Sequence, residues 1–125
     1  MHQFLKIRPS KIQGSGVFSE KEINEDEKFY FIPISDISYQ PQPHWAKIGR
    51  LGWVNDPNVL NWINHSCNPN AQLITNEIEP FLKSVKEIKE GEEITVNYNL
   101  TEIEGIKILC NCKDINCDGF FLRIE

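Results

Sequence analysis

The sequence predicts a mostly β domain built from short strands and small sheets. Turn-forming residues recur about every ten positions, the spacing of short strands joined by tight connections. β-Branched and aromatic residues fill the gaps between those turns. No window of about eleven residues or more keeps the apolar period of a helix. At 125 residues the chain makes one domain, burying roughly two-thirds of its unfolded surface around a modest core.

Taken in order, strands are expected at Phe4–Ile7, Gly16–Ser19, Phe29–Ile32, Ile37–Tyr39, Ile48–Val54, Ala71–Thr75, Phe81–Val85 and Ile94–Tyr98. The one helical candidate is a short turn near Asn58–Ile63, following Asp56-Pro57. Two stretches resemble each other, Lys21-Glu22-Ile23-Asn24-Glu25-Asp26-Glu27 and Lys86-Glu87-Ile88-Lys89-Glu90-Gly91-Glu92. Each follows a β run and precedes another, so each reads as the turn of a hairpin-like unit. The pair hints at a pseudo-duplicated β architecture, although two copies do not make a repeat array.

The net charge of −5 argues against general binding to nucleic-acid phosphate, which needs a concentrated basic face. It suits a cationic partner such as a lysine-rich peptide. No apolar stretch approaches the roughly 18–20 residues of a membrane span, so no membrane partner is expected. Polar residues interrupt Met1-His2-Gln3-Phe4-Leu5-Lys6 too early for the apolar core of a signal peptide. An intracellular protein is therefore expected, with leaderless export left open.

Three of the four cysteines form a C-x-C-x4-C knot, Cys110, Cys112 and Cys117, and Cys67 lies far upstream. Zinc takes four tetrahedral ligands, and closely spaced thiols on one loop can supply three. Free buried thiols and a disulfide are the other readings. C-x-C is too short for an easy internal disulfide, and an intracellular setting disfavours one. A metal here would pin the tail to the Cys67 loop and order it.

The stretch Asn61-Trp62-Ile63-Asn64-His65-Ser66-Cys67-Asn68-Pro69-Asn70 carries most of the functional information. Singly its members are bland. His65 is first a core histidine, Asn64 and Asn70 are turn residues, and Tyr98 is a packed aromatic. Gly14-Ser15-Gly16 lacks the third glycine and the helix of a dinucleotide fingerprint, so alone it reads as a turn.

Their order is more specific. The glycine pair opens a β run, Asn64-His65-Ser66-Cys67 with Pro69-Asn70 follows, then Gly91-Glu92-Glu93-Ile94-Thr95-Val96-Asn97-Tyr98, then the cysteine knot. From Lys11 to Gly119 the chain resembles the SET-domain protein lysine methyltransferases. That resemblance implies a SET-domain, β-clip-like fold at residues 1–109, with a threaded C-terminal segment. Residues 110–125 would be a post-SET zinc tail belonging to the same structural unit.

The resemblance further implies S-adenosyl-L-methionine as methyl donor and a lysine-containing protein or peptide, a histone or another basic protein, as acceptor. Gly14, Ser15 and Gly16 would run along the cofactor, where a missing β-carbon lets the main chain approach closely. Asn64 and His65 would contact its adenosine. Asn61, which stands where arginine is common, is included among the cofactor contacts, and Trp62 stands where phenylalanine is usual. Tyr98 is the expected catalytic tyrosine, also touching the cofactor. Phe120 is favoured over Phe121 to cover the cofactor or the lysine channel, and Tyr30 and Tyr39 are candidates for the channel wall. Cys67, Cys110, Cys112 and Cys117 would hold one structural zinc. Val96 stands two before Tyr98, where phenylalanine or tyrosine is usual, which leaves room for water or for an already methylated amine. A monomer is expected, with no direct nucleic-acid binding. The second reading is a catalytically weak SET module that binds a protein partner.

Overall fold

In the computed structural model, strand pairing runs mostly between segments far apart in the chain. The structure describes residues 4–12, 14–40, 42, 45–48, 52–75, 79–97, 106–109 and 120–123, the last two stretches as backbone. Among the described residues twelve strands are present: β1 (Leu5–Pro9), β2 (Ser15–Ser19), β3 (Lys28–Phe31), β4 (Ile37–Ser38), β5 (Ala46–Lys47), β6 (Trp53–Val54), β7 (Asn64–His65), β8 (Ala71–Ile74), β9 (Phe81–Ser84), β10 (Glu93–Val96), β11 (Ile106–Leu109) and β12 (Phe120–Arg123). Leu60–Trp62 forms a 3₁₀ turn inside the segment expected to be helical. No helix among the described residues is long and apolar enough to cross a membrane.

The strands make four small sheets, ordered β1-β2-β10-β7, β3-β9-β8, β4-β6-β5 and β11-β12. In the first, β1, β2 and β10 are antiparallel neighbours, whereas β7 runs parallel to β10 with Thr95 opposite Asn64 and Val96 opposite His65. Residues of three of these sheets meet in one core. Val17, Ile23, Ile48, Val54, Leu82, Ile88 and Ile94 are each 0% exposed, so each contributes roughly 1.5–3 kcal/mol of apolar burial.

The two similar segments are related by a local pseudo-two-fold axis. Ile23 and Ile88 bridge each other antiparallel, each donating its amide to the other's carbonyl at 2.8 and 2.9 Å. Around them the hydrogen bonds repeat. Ser19 N donates to Glu92 O as Ser84 N donates to Glu27 O, and Gly91 N donates to Ser19 O as Asp26 N donates to Ser84 O. Asp26 and Gly91, the matching turn positions, both have positive φ, at 67° and 87°. The duplication is therefore present, but the copies pair with each other across the core instead of closing separate hairpins.

The expected strand Ile48–Val54 is a second correction. Its apolar run is divided, with Ala46–Lys47 and Trp53–Val54 paired antiparallel as a hairpin. Gly52 sits at φ +104°, its carbonyl accepts from Ile48 N at 2.7 Å, and a β-carbon there would strike the Ser38 carbonyl. Only glycine tolerates that reversal. β5, β7, β11 and β12 stand outside the expected strands. β7 falls inside the Asn-His signature, whose residue types favour turns.

Candidate active site

Strand β10 is the axis on which the sequence-predicted residues meet. On one side lies β2, which opens at Ser15 directly after the Gly14 turn; on the other lies β7 with Asn64 and His65. β10 ends at Val96, two residues before Tyr98, which lies outside the described residues.

Gly14 has φ +47°, and a β-carbon on it would meet nothing within 4 Å, so the turn presents its backbone to open space. That fits a ligand laid against the main chain. Gly16 differs. Its φ is not in the left-handed region, but a β-carbon would fall onto the Glu93 carboxylate and stand 3.0 Å from Asn64 Nδ2.

Asn64 donates through Nδ2 to the Ser15 carbonyl at 3.0 Å and to Glu93 Oε2 at 2.8 Å. Glu93 Oε1 in turn accepts from Ser10 Oγ at 2.6 Å. The half-buried carboxylate thus joins the β1–β2 connection to β7. Asn70, also in the signature, is buried and completes the frame. Its Nδ2 donates to the Glu93 carbonyl at 2.8 Å and its Oδ1 accepts from Thr95 N at 2.9 Å. One side chain so stands in for a strand neighbour along β10 and pairs the buried Thr95 amide.

His65 is 2% exposed, with Nε2 3.3 Å from Cys67 Sγ. Cys67 is half-buried, and its thiol is the one cysteine group of the proposed metal set within the described residues. Cys110, Cys112 and Cys117 lie outside them, as does any threading of the C-terminal segment. Among the described residues no three histidine, cysteine or carboxylate groups converge. Phe120 belongs to β12, opposite Leu109, and its side chain lies outside what is described.

Asn61 faces its own loop. Its Oδ1 accepts from Asp56 N at 3.1 Å and its Nδ2 donates to Asn55 Oδ1 at 2.7 Å. The loop is built on Asp56, 1% exposed, whose Oδ2 accepts from Tyr30 OH at 2.5 Å and Leu60 N at 3.1 Å, and whose Oδ1 accepts from Asn58 N at 3.3 Å. This buried carboxylate fixes the 3₁₀ turn that delivers the chain into β7. Burial, then the hydrogen bond to Asp56 and its charge, push the Tyr30 hydroxyl far above the ordinary tyrosine range. Tyr30 is thereby a core residue, whereas Tyr39 is 80% exposed. Val96 is half-buried and shares a cleft with Ala71, Leu73, Thr75, Val85 and Asn97.

Sequence reasoning missed Ser10, Glu93 and Asp56. Asp56 carried a signal, since Asp-Pro before an expected helical turn marks a cap. Glu93 carried none, because a second glutamate in a row after a glycine turn reads as solvated surface.

The SET domain family model matches residues 14–99, from the glycine turn through Tyr98. The chain is 26% identical over 127 positions to Histone-lysine N-methyltransferase, H3 lysine-36 specific, of Aspergillus oryzae, covering 95% of this chain and 12% of that protein. It therefore spans a small fraction of that relative's length. The methyltransferase domain of human Histone-lysine N-methyltransferase SETMAR superposes with a TM-score of 0.68 at 17% identity, covering 98% of this chain and 59% of that one. KRYPTONITE in complex with mCHG DNA and SAH superposes with a TM-score of 0.69 at 19% identity, covering 94% and 29%. The superpositions establish the fold. With the family match across the site residues, the small β sheets are those of a SET domain, and the chain belongs to the SET domain family.

Proposed function

We propose that this chain is the catalytic unit of a protein-lysine N-methyltransferase that draws its methyl group from S-adenosylmethionine. The observation that carries the reading is the convergence of the Gly14 turn, Asn64-His65 and the Val96 end of β10 on one sheet, inside a SET domain. When bound, S-adenosylmethionine supplies an electrophilic sulfonium methyl. The open backbone at Gly14 and the fixed amide of Asn64 suit the binding of such a donor. The remaining task is to hold an amine in line, which is worth several kcal/mol of the barrier. The amine must also arrive without its proton, against an ordinary lysine pKa near 10.4. An apolar channel lowers that value by disfavouring the ammonium. Tyr98 orients the amine and lines the methyl path with its hydroxyl.

The acceptor we propose is a lysine in a basic protein, with a histone H3 tail first, because the relative named above is H3 lysine-36 specific. The net charge of −5 favours such a cationic partner over nucleic acid, and a histone places the protein inside the cell, in the nucleus. One structural zinc on Cys67, Cys110, Cys112 and Cys117 is part of the same proposal, supported by the half-buried Cys67 thiol and by four cysteines with none left over.

The test is transfer of label from S-adenosylmethionine to a histone H3 peptide. Label on a lysine Nζ is the expected result, with turnover lost on chelator treatment. A purified protein that neither binds the donor nor labels any lysine-bearing protein overturns the reading. Val96 adds a finer expectation. Its small side chain in the Ala71–Leu73 cleft leaves space for a methylated amine, so dimethyl-lysine accumulates and Val96→Phe shifts the product towards monomethyl-lysine. Mass spectrometry showing only monomethyl product from the unmodified protein at long times contradicts this.

A further inference from the structure

We propose that Glu93 is a positioning residue for the methyl donor: its carboxylate sets the amide of Asn64, and Gly16 lacks a β-carbon to make room for that carboxylate. The inference rests on the reading of Asn64 as a donor contact, and it adds a residue that reading did not contain.

Three observations carry it. The first is the relay itself, Ser10 Oγ to Glu93 Oε1 at 2.6 Å and Asn64 Nδ2 to Glu93 Oε2 at 2.8 Å, which ties the segment before the glycine turn to β7. The second is the state of Asn64. Both amide protons are committed, one to Glu93 and one to the Ser15 carbonyl at 3.0 Å, so the amide plane and the identity of its two ends are determined. An asparagine free to flip would offer donor and acceptor interchangeably; a clamped one offers a single pattern. The third is Gly16. Its backbone does not require glycine, yet a β-carbon would overlap the Glu93 carboxylate. Gly14 leaves its empty side towards open space, whereas Gly16 turns its empty side towards Glu93.

The role is geometric. Glutamine at position 93 can accept from Asn64 through Oε1 and donate to Ser10 Oγ through Nε2, so it keeps the relay without the charge. Alanine loses both contacts. Because a hydrogen bond to a charged group is worth about 1.5–3 kcal/mol, Glu93→Ala is expected to weaken S-adenosylmethionine binding at least tenfold. Glu93→Gln is expected to stay within about threefold of the unmodified protein, since the pattern of acceptors is kept.

The experiment is calorimetric titration of S-adenosylmethionine into the full chain and into Glu93→Ala, Glu93→Gln, Asn64→Ala, Gly16→Ala and the double variants. The expected result is loss with Glu93→Ala, rescue with Glu93→Gln, and non-additivity. In the Asn64→Ala background, Glu93→Ala adds less than about threefold, and in the Glu93→Ala background so does Gly16→Ala. In steady-state assays KM for the donor rises while kcat holds, a split that a merely destabilised fold does not produce. Unchanged binding in a folded Glu93→Ala protein overturns the inference, as do additive effects with Asn64 or Glu93→Gln behaving like Glu93→Ala. Ser10→Ala and Gly16→Ala supply the answer if Glu93→Ala fails to fold, and normal binding in both overturns it. Failure of the unmodified chain to bind the donor removes the underlying functional reading as well, so the two failures are told apart.

Discussion

Tyr98→Phe is expected to lower methyl transfer to a lysine peptide by about 10²–10³-fold, the usual cost of removing one polar group aimed at a transition state. The ring is retained, so packing around it is retained, and donor affinity is expected to stay within about threefold. The loss therefore appears in kcat. β10 runs parallel to β7 and ends at Val96 opposite His65, two residues before Tyr98 in the sequence. Single-turnover transfer from labelled donor, with titration of the donor as control, separates the two quantities. An undiminished rate removes Tyr98 from the chemistry. Firm donor binding with no transfer by the unmodified protein favours instead the weak module that binds a partner, a reading for which the loop-directed Asn61 side chain is suggestive.

Asp56→Ala is expected to destabilise the fold by about 3–5 kcal/mol, because it strips the partner from several buried donors at once. Tyr30 OH, Leu60 N and Asn58 N all lose their acceptor. Against a total of about 5–15 kcal/mol for a domain, that leaves little folded protein at physiological temperature. Tyr30→Phe is milder, about 1.5–3 kcal/mol, since it removes one bond to the carboxylate. The pair also carries a pH signature. The folded chain holds the Tyr30 proton far above the point, near pH 10, where the unfolded chain releases it. This contribution to stability is complete below about pH 10 and declines as pH rises beyond it. Urea unfolding between pH 8 and 11 is expected to show a falling midpoint for the unmodified protein and a flatter profile for Tyr30→Phe. Parallel profiles would remove Tyr30 from the alkaline transition.

Period and punctuation made the strands legible, since β1 to β4 and β8 to β10 all fall within a residue or two of their expected places. The Ile48–Val54 error had a physical origin. An apolar run inside a tight hairpin is indistinguishable from one strand until Gly52 is known to have positive φ. The duplicated Lys-Glu-Ile segments were visible, but their pairing was not, because sequence similarity does not say which surfaces meet. In the site, Gly14, Asn64 and His65 were legible as a family pattern. Asp56 and Glu93 were not, since acidic residues beside turns are ordinarily solvated, and only the fold turns these two inward.

The parallel alignment of β7 with β10, with two further strands intervening in sequence, also governs when the site can come into being. A nascent polypeptide cannot close the Gly14–Asn64 frame until residue 96 has left the ribosome. Until then Val17 and Ile23, whose neighbours Ile94 and Ile88 have yet to be synthesised, stay exposed to water. Folding must therefore wait on long loop closures, which places this small domain among slow folders and makes its early lifetime the stage most open to aggregation.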